Sequence, residues 1–340
     1  MKYLFKSLKQ IIDIFEWDEK IGATEISNRL WKSRVIVHKY LKELLNQWII
    51  IKFRVWPTVV YQKRNASILV SQNSDIWNQH IDISFQDRKL LDEIFLKFSP
   101  NGKIMRWLDG MKLWCQERGG LHLEEKVKLY IDVYQHIRSL EDACGMIDAK
   151  KAFWKDFEKV YLDNIFYADQ YNRMEYWRWK LAELTFYAKS TQNKKLIEQS
   201  IDEIIYKLEC KLKKEKYDAI AITPWSIDRK NQLLKFLEMR LKSMWFPFVK
   251  LVKYYSSGIT IPQKSLKTRA QRIENAKNTI FVYDEHIKKY NKVFLIDDFV
   301  WSWATLNETA KKLKEAGVKQ VDGFAFVWNL NLSYEVINEV

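Results

Sequence analysis

The feature that most constrains this chain is a continuous apolar run, Val293–Ile296, that ends in two adjacent carboxylates, Asp297 and Asp298. An apolar run without alternation is typical of a strand that is buried on both faces of a parallel sheet. Open α/β sheets bind their ligands at the carboxyl ends of the strands, which is where the two acids fall. The sequence therefore predicts an α/β domain with a ligand site at this point.

The segment after the acids predicts a phosphate-binding loop. A short stretch leads into a helix predicted from Ala304 to about Ala316, and Gly317 takes the position after its end. A loop that enters a helix N-terminus offers free backbone N–H groups and the positive end of the helix dipole, which together bind phosphate. Adjacent carboxylates can hold sugar hydroxyls or a hydrated Mg²⁺. A phosphorylated sugar would satisfy both halves of such a site.

This segment resembles the phosphoribosyl diphosphate (PRPP) motif of type I phosphoribosyltransferases, in particular that of the ComF-like branch. Asp297 and Asp298 fall on the acidic pair of the family, and Ser302, Ala304 and Thr305 fall on its phosphate loop. The resemblance implies that the two acids are the catalytic residues, hold the ribose hydroxyls and reach Mg²⁺ through water. It also implies that the backbone amides of the loop hold the 5′-phosphate.

Two tryptophans in the loop depart from the family pattern. Trp303 stands where the family has glycine, and Trp301 stands where it has a small residue. An indole there would block the close backbone approach that phosphate binding needs. The chain has 15 Trp and 9 Gly, whereas roughly 24 Gly are average for this length.

Several other tryptophans also occupy positions that favour glycine. They fall at helix ends, in a tight corner between helices and at a hairpin tip. These residues are Trp17, Trp31, Trp48 and Trp56. We hypothesise that many Trp positions, Trp301 and Trp303 among them, are UGA codons read as glycine in the source organism. The alternative is a tryptophan-rich, degenerate site.

A second match follows the first predicted strand of the same domain, Tyr217–Pro224. Arg229, Asn231 and Gln232 match an Arg-Gly-aromatic-Asn-Gln signature of ComF-like proteins, although the segment is one residue shorter and lacks the glycine. Basic residues after this strand suit a diphosphate. We therefore expect Arg229 and Lys230 to bind the diphosphate of PRPP.

A third match lies before the PRPP strand, where ComF-like sequences have a flexible segment. Gln263, Arg272 and Asn275 match its Gln and Arg-x-x-Asn positions. Together with Lys264 and Arg269, they could close over a polyanionic ligand as a lid. A solvated, charged helix is the alternative.

The N-terminal region resembles a winged helix–turn–helix. Apolar periodicity predicts helices at 2–16, 24–30 and 34–47, and alternation predicts a hairpin at 49–61. The first 65 residues contain 13 Lys/Arg and 6 Asp/Glu, so half of the net charge of +14 lies in one fifth of the chain. This favours nucleic acid as the partner, with protein contact as the alternative. The residues expected to contact DNA are Lys32, Ser33, Arg34, Ile36, Lys39 and Arg54.

The region between these two parts shows helical periodicity and many aromatic residues, which we interpret as core rather than as a base-stacking platform. The predicted fold therefore has three parts. They are a winged helix–turn–helix at 1–65, a linker with an all-α middle region at 66–213, and an α/β phosphoribosyltransferase-like domain at 214–340.

Cysteine usage and hydropathy bear on the compartment. Cys115, Cys144 and Cys210 are odd in number, widely spaced and form no metal motif, which suggests a reducing cytosol. No apolar run reaches the ~18 residues that a membrane span needs. We expect a cytoplasmic protein with no membrane partner.

Two functions from different classes follow from the resemblances. The first is a ComF-like phosphoribosyltransferase that transfers phosphoribose from PRPP and releases diphosphate, with Mg²⁺ as cofactor. The second is a DNA-binding regulator whose C-terminal domain senses PRPP or a nucleotide without turnover. A third is a protein of DNA uptake and competence. A homodimer is expected if the DNA site is palindromic.

Overall fold

The computed structural model of the chain divides into two compact units, residues 1–81 with 115–123 and residues 82–114 with 124–340. It describes residues 11, 13–15, 20–46, 50–55, 58–63, 76–77, 81–117, 122–150, 159–173, 176–256, 258–261, 265–266, 268–300 and 302–328. Within these ranges, no helix has the length and apolar character that crossing a membrane requires.

The described residues of the first unit form a three-stranded antiparallel sheet and include two helices with defined bounds. Strand β1 (Lys20–Gly22) precedes helices α1 (Ala23–Leu30) and α2 (Arg34–Asn46), and strands β2 (Ile50–Val55) and β3 (Thr58–Lys63) form a hairpin. The strand order is β1-β3-β2. The two predicted helices and the hairpin are confirmed, whereas β1 is an addition that is too short to show alternation. The predicted helix at 2–16 lies largely outside the described residues.

The first unit has an apolar core of its own. Val37, Leu41 and Leu44 of α2 are buried together with Ile26 of α1 and Tyr61 of β3. The three α2 residues share one helix face because they are spaced at i, i+4 and i+7. The opposite face of α2 is therefore left for solvent or a partner.

The rest of the chain alternates helices and strands. In order, the elements are α3 (Phe85–Ile94), β4 (Leu96–Phe98), β5 (Ile104–Arg106), α4 (Trp107–Gln116), α5 (Leu123–Arg138), β6 (Ile147–Asp148), β7 (Asn164–Gln170), β8 (Asn172–Arg173), β9 (Tyr176–Trp177), α6 (Lys180–Thr191), α7 (Lys194–Glu215), β10 (Ala219–Ile222), α8 (Leu233–Lys242), β11 (Phe248–Val249), β12 (Leu251–Lys253), α9 (Arg269–Thr279), β13 (Ile280–Val282), β14 (Lys292–Val300), α10 (Ala304–Glu315) and β15 (Gln320–Trp328).

The second unit is organised around a six-stranded sheet of order β11-β10-β14-β15-β7-β6. Strands β11, β10, β14, β15 and β7 pair in parallel, and β6 pairs antiparallel with β7. The sheet is therefore mostly parallel and flanked by helices, which confirms the prediction of an α/β domain.

Both faces of this sheet are covered. Ile220, Phe294 and Phe324 lie on one face and belong to a buried cluster that includes apolar residues of α6, α7 and α8. Ala221 and Leu295 are adjacent in sequence to residues of that face and are also fully buried, and adjacent strand residues point to opposite faces. Helix α10 contacts both β14 and β15. This double burial explains why the strands read as continuous apolar runs.

The prediction of an all-α middle region is wrong, because the six strands β4 to β9 all lie within it. Strand β7 pairs with β15 from Asn164 to Gln170, so this region contributes to the central sheet. Phe166 and Tyr167, which we interpreted as part of a helical core, lie in β7. A short buried strand and a buried helix segment give the same apolar signal, so periodicity could not separate them.

Two of the three cysteines are bonded to each other. Cys144 and Cys210 form a disulfide, and Cys115 is a buried free thiol. The disulfide joins the turn before β6 to α7, where Lys211 also donates to the Asp142 carboxylate at 3.1 Å. The pairing runs against the expectation of reduced cysteines. Sequence spacing gave no sign of it because 66 residues separate the partners.

Tryptophan is unusually frequent where the backbone is left-handed. Seven non-glycine residues of the described chain have positive φ, and four of them are tryptophan: Trp31 (53°), Trp107 (54°), Trp245 (66°) and Trp303 (55°). Bulky residues are rare in this region of φ/ψ space, which glycine adopts freely. The backbone at Trp31 and Trp303 thus agrees with the glycine hypothesis. The other tryptophans named in it lie outside the described residues: Trp17, Trp48, Trp56 and Trp301.

Candidate functional site

A cavity of about 210 Å³ lies where the carboxyl ends of β10 and β14 meet. The two strands pair in parallel, with Ile222 opposite Ile296, so Thr223 and Asp297 follow at the same edge of the sheet. The polar residues lining the cavity are two acids, four cations, three hydroxyls and one amide: Asp297, Asp298, Lys189, Arg229, Lys253, Arg272, Thr223, Ser226, Thr305 and Gln232. The predicted acidic pair therefore lies in a cavity with an excess of positive charge.

Asp297 accepts two hydrogen bonds through the same carboxylate oxygen. Its Oδ1 accepts from the Thr223 hydroxyl at 2.8 Å and from the Asp298 backbone N–H at 2.9 Å. Burial and the neighbouring Asp298 charge raise the pKa of Asp297 to about 7, although the Lys189 charge and the Thr223 hydrogen bond oppose the shift. The Asp297 carboxyl is thus poised to change its charge near neutral pH.

Asp298 has partners at both carboxylate oxygens. Its Oδ1 accepts from the Phe299 backbone N–H at 2.6 Å. Its Oδ2 lies 2.7 Å from the Lys189 ammonium, which comes from the last turn of α6. The Asp298 side chain is buried, so this ion pair is shielded from water.

A second, smaller cavity of about 40 Å³ lies against the predicted phosphate loop. Ser302, Trp303, Ala304 and Thr305 all line it. The cavity shares Arg272, Asp297, Phe299 and Thr305 with the larger one. The structure therefore brings the predicted loop and the predicted acids to one continuous site.

Helix α10 begins at this smaller cavity. Trp303 is its N-cap residue, and no side chain caps the helix start. Helix N-termini of this kind attract anions through free amides and the helix dipole. The Trp303 ring is buried and meets the Trp328 ring edge-on, with centroids 5.5 Å apart. The indole thus occupies space directly beside the loop.

Three cations surround the acids from other elements. The Lys253 ammonium donates to the Ser226 hydroxyl at 2.7 Å, and burial lowers its pKa to about 8 against the opposing charge of Asp297. Arg272 of α9 lines both cavities, and its Nε donates to the Leu266 carbonyl at 3.1 Å. Arg229 lines the larger cavity but not the smaller one.

The other described residues that were predicted for this site do not line either cavity. Lys230 is exposed and is not among the residues lining either cavity. Arg269 and Asn275 lie on α9 without lining the cavities, so Arg272 is the one described member of the predicted lid at the site. Gln263 and Lys264 lie outside the described residues.

Sequence reasoning missed four polar residues of this site, which are Lys189, Thr223, Ser226 and Lys253. Thr223 lies at the end of the predicted strand Tyr217–Pro224, so its position was available as a local signal. Lys189 had no such signal because its helix lies in the region to which no chemistry was assigned. Only the fold places the end of α6 beside β14.

Helix α2 and the two residues before it contain five of the six residues predicted to contact DNA. Ser33, Arg34, Ile36 and Lys39 are exposed, and Lys32 is partly exposed. Arg54 lies in β2, but its side chain is outside the described part of the chain.

Asp297 and Asp298 could supply only some of the oxygen ligands that a magnesium ion needs. Among the described residues, no group of three or more His, Cys, Asp or Glu side chains could hold a metal. Mg²⁺ commonly binds one or two carboxylates together with water and substrate phosphates. Asp297 and Asp298 fit that arrangement, in which the ligand supplies the remaining oxygens.

The sequence matches no known protein family, and no curated protein resembles it at a significant level. The chemistry of the site is therefore what bears on the function.

Proposed function

We propose that the second unit binds PRPP and transfers phosphoribose to an acceptor with release of diphosphate, as ComF-like phosphoribosyltransferases do. The observation that carries this proposal is the shared wall of the two cavities. An acid pair lines the larger one, and a helix N-terminus with a small-residue loop lines the smaller one. A ligand that fills both must carry hydroxyls and a phosphate.

PRPP supplies the groups that these cavities select. The 5′-phosphate would bind the amides at Ser302–Thr305, and the ribose hydroxyls would donate to the acid pair. The diphosphate would lie against Arg229, Lys253 and Arg272, which bring positive charge to the larger cavity. Charge-assisted hydrogen bonds to phosphate are about twice as strong as neutral ones.

In the proposed transfer reaction, positive charge would develop on the ribose, close to the two acids. The bond between C1 of the ribose and the diphosphate oxygen breaks, and the diphosphate leaves with the electron pair. The acceptor then bonds to C1 and loses its proton. The carboxylates would stabilise the positive charge that develops on the ribose. Bound Mg²⁺ would neutralise charge on the departing diphosphate.

The exposed basic surface of the first unit supports a second candidate, a DNA-binding regulator that senses PRPP. In a winged helix–turn–helix, the second helix of the motif enters the major groove. Helix α2 takes that position in the chain order and exposes Arg34 and Lys39. A regulator requires that PRPP change the affinity for DNA, because a ligand with equal affinity for two states shifts nothing. A role in DNA uptake would use the same DNA-binding surface.

The decisive experiment is a thermal unfolding series of the full chain with PRPP and Mg²⁺. At a hundredfold excess over Kd, binding should stabilise the protein by ~2.7 kcal/mol. The series includes Trp303→Gly, because the indole stands beside the phosphate loop. Asp297→Asn combined with Asp298→Asn should abolish the shift, while Asp202→Asn, a substitution on the exposed surface of α7, should preserve it.

Two further measurements separate the candidates. Release of diphosphate with a panel of nucleobases and amines would establish an enzyme. PRPP-sensitive DNA binding without release would establish a regulator. No PRPP-dependent shift in either the parent or the Trp303→Gly variant would exclude both.

A further inference from the structure

We propose that Lys189 is a positioning residue of this site, which holds Asp298 and leaves Asp297 as the acid that first receives the ribose hydroxyls. The proposal rests on PRPP binding as described above. It assigns different tasks to two adjacent acids that sequence patterns treat alike.

The first observation is the ion pair itself. The Lys189 ammonium lies 2.7 Å from Asp298 Oδ2, and the two side chains are 27% and 12% exposed. The ammonium also lies 5.1 Å from the centre of the Phe299 ring. Removing one partner of a largely desolvated ion pair destabilises the protein strongly, because the other charge is left buried without a partner.

The second observation is that Lys189 comes from a fixed element. Helix α6 ends at Thr191, and Gln192 caps it with its N–H bonded to the Ala188 carbonyl at 3.0 Å. The Asn231 side chain donates to the Gln192 carbonyl at 2.8 Å, which ties this helix end to the segment after β10. Side chains on packed helices hold their positions better than side chains on loops.

The third observation is the unequal bonding of the two acids. Asp298 is engaged at Oδ1 by the Phe299 N–H and at Oδ2 by Lys189. Both hydrogen bonds of Asp297 go to Oδ1, and no hydrogen bond from the described residues reaches its Oδ2. Asp297 therefore has an oxygen ready to accept from a sugar hydroxyl, whereas Asp298 must first release Lys189.

Lys189 also reduces the repulsion that an anionic ligand meets. PRPP carries a phosphate and a diphosphate, and the site presents two carboxylates to it. A cation held against one carboxylate cancels part of that negative charge at short range. Loss of the cation should weaken PRPP binding even though Lys189 itself need not touch the ligand.

A double-mutant cycle tests the positioning role without any ligand. Lys189→Met and Asp298→Asn should each lower the melting temperature, and the double variant should lose no more than the larger single loss. Lys180→Met is the matched control, because Lys180 lies on the same helix and pairs with Glu203 at 2.5 Å. The decrease in melting temperature caused by Lys180→Met should add to the decrease caused by Asp298→Asn. Additive losses for Lys189 and Asp298 would overturn the proposal.

PRPP affinity tests the different roles of the two acids. It is measured in whichever of the parent and Trp303→Gly binds PRPP more tightly. Lys189→Met should weaken binding roughly tenfold, because the site loses a positive charge held close to the two carboxylates. Lys189→Arg should restore most of it, and Lys180→Met should leave it unchanged. Asp297→Asn should cost more affinity than Asp298→Asn.

Three results would contradict the assignment: parent-like affinity in Lys189→Met, no rescue by arginine, or a larger loss for Asp298→Asn. If neither the parent nor Trp303→Gly binds PRPP, the proposed function fails, and the unfolding cycle still decides whether Lys189 positions Asp298.

Discussion

Replacing Trp245 with glycine should make this protein more stable, although the substitution removes a large aromatic side chain. Trp245 follows the end of α8 with φ of 66°, and its side chain is 93% exposed. Almost no burial is lost when such a side chain is removed. The left-handed conformation costs an L-residue about 1–2 kcal/mol, and glycine avoids this cost. Glycine loses more chain entropy on folding, however, which destabilises the protein by about 0.5–1 kcal/mol. The net gain is therefore about 0.5–1 kcal/mol.

The assay is thermal unfolding of the parent, Trp245→Gly and Trp31→Gly. Trp31 offers the same test in the first unit, since it ends α1 with φ of 53° and is 96% exposed. Because the first unit is much smaller than the second, Trp31→Gly should raise the melting temperature of its unit by about 2–8 °C, and Trp245→Gly should raise that of its unit by about 1–4 °C. Trp114→Gly is the control, because Trp114 lies inside α4 with its side chain 2% exposed. It should destabilise by about 3–5 kcal/mol or more, as loss of a buried aromatic ring does.

A lower melting temperature for both Trp31→Gly and Trp245→Gly would refute this reasoning. It would mean that the two indoles make stabilising contacts that outweigh the cost of their backbone conformation. The glycine hypothesis would then lose its energetic support at the positions where burial cannot obscure the result.

Three other predictions follow from the sequence and the structure. The codons of Trp31 and Trp303 should be UGA in the gene; UGG at both would leave a phosphate loop with an indole and favour a scaffold that does not bind PRPP. DNA affinity of the full chain should fall steeply with salt. Arg34→Ala should reduce the free energy of DNA binding by roughly 1–3 kcal/mol and relax the sequence preference. Lys39→Ala should weaken binding to all DNA sequences alike. Because the pKa of Asp297 is raised to about 7 in the folded protein, while an unfolded Asp titrates near 4, its contribution to stability is present below about pH 4 and lost as pH rises through about 7. The melting temperature of the parent should thus fall relative to Asp297→Asn between pH 5 and 8, and a constant difference would contradict the shift.

Local signals predicted the acid-bearing strand, its loop and the following helix. The apolar run, the two acids and Gly317 all lie within 25 residues, and the structure places β14 and α10 as expected. Gly317 has φ of 117°, a conformation that glycine alone adopts without cost. Each of these cues depends on the backbone conformation of its own segment, so a single sequence suffices to read them.

Non-local pairing was not predictable in the same way. Strand β7 lies next to β15, although α6, α7, β10, α8 and more separate them in the chain. Nothing in the sequence of β7 states which strand it pairs with, since a buried parallel strand carries no alternation to fix its partner. The same limit hid Lys189, whose role depends on where α6 ends relative to the sheet.

The distribution of cations bears on which phosphorylated sugar the site would select. A nucleoside monophosphate and PRPP both carry a 5′-phosphate and ribose hydroxyls, so the acids and the phosphate loop cannot distinguish them. They differ at C1, where one has a flat, largely apolar base and the other a diphosphate. Arg229 and Lys253 line the larger cavity but not the smaller one, so their charge lies away from the phosphate loop. Half-buried cations at that end would be poorly matched by a base and well matched by a diphosphate. The charge pattern therefore favours PRPP over a nucleotide as the ligand that uses the whole site.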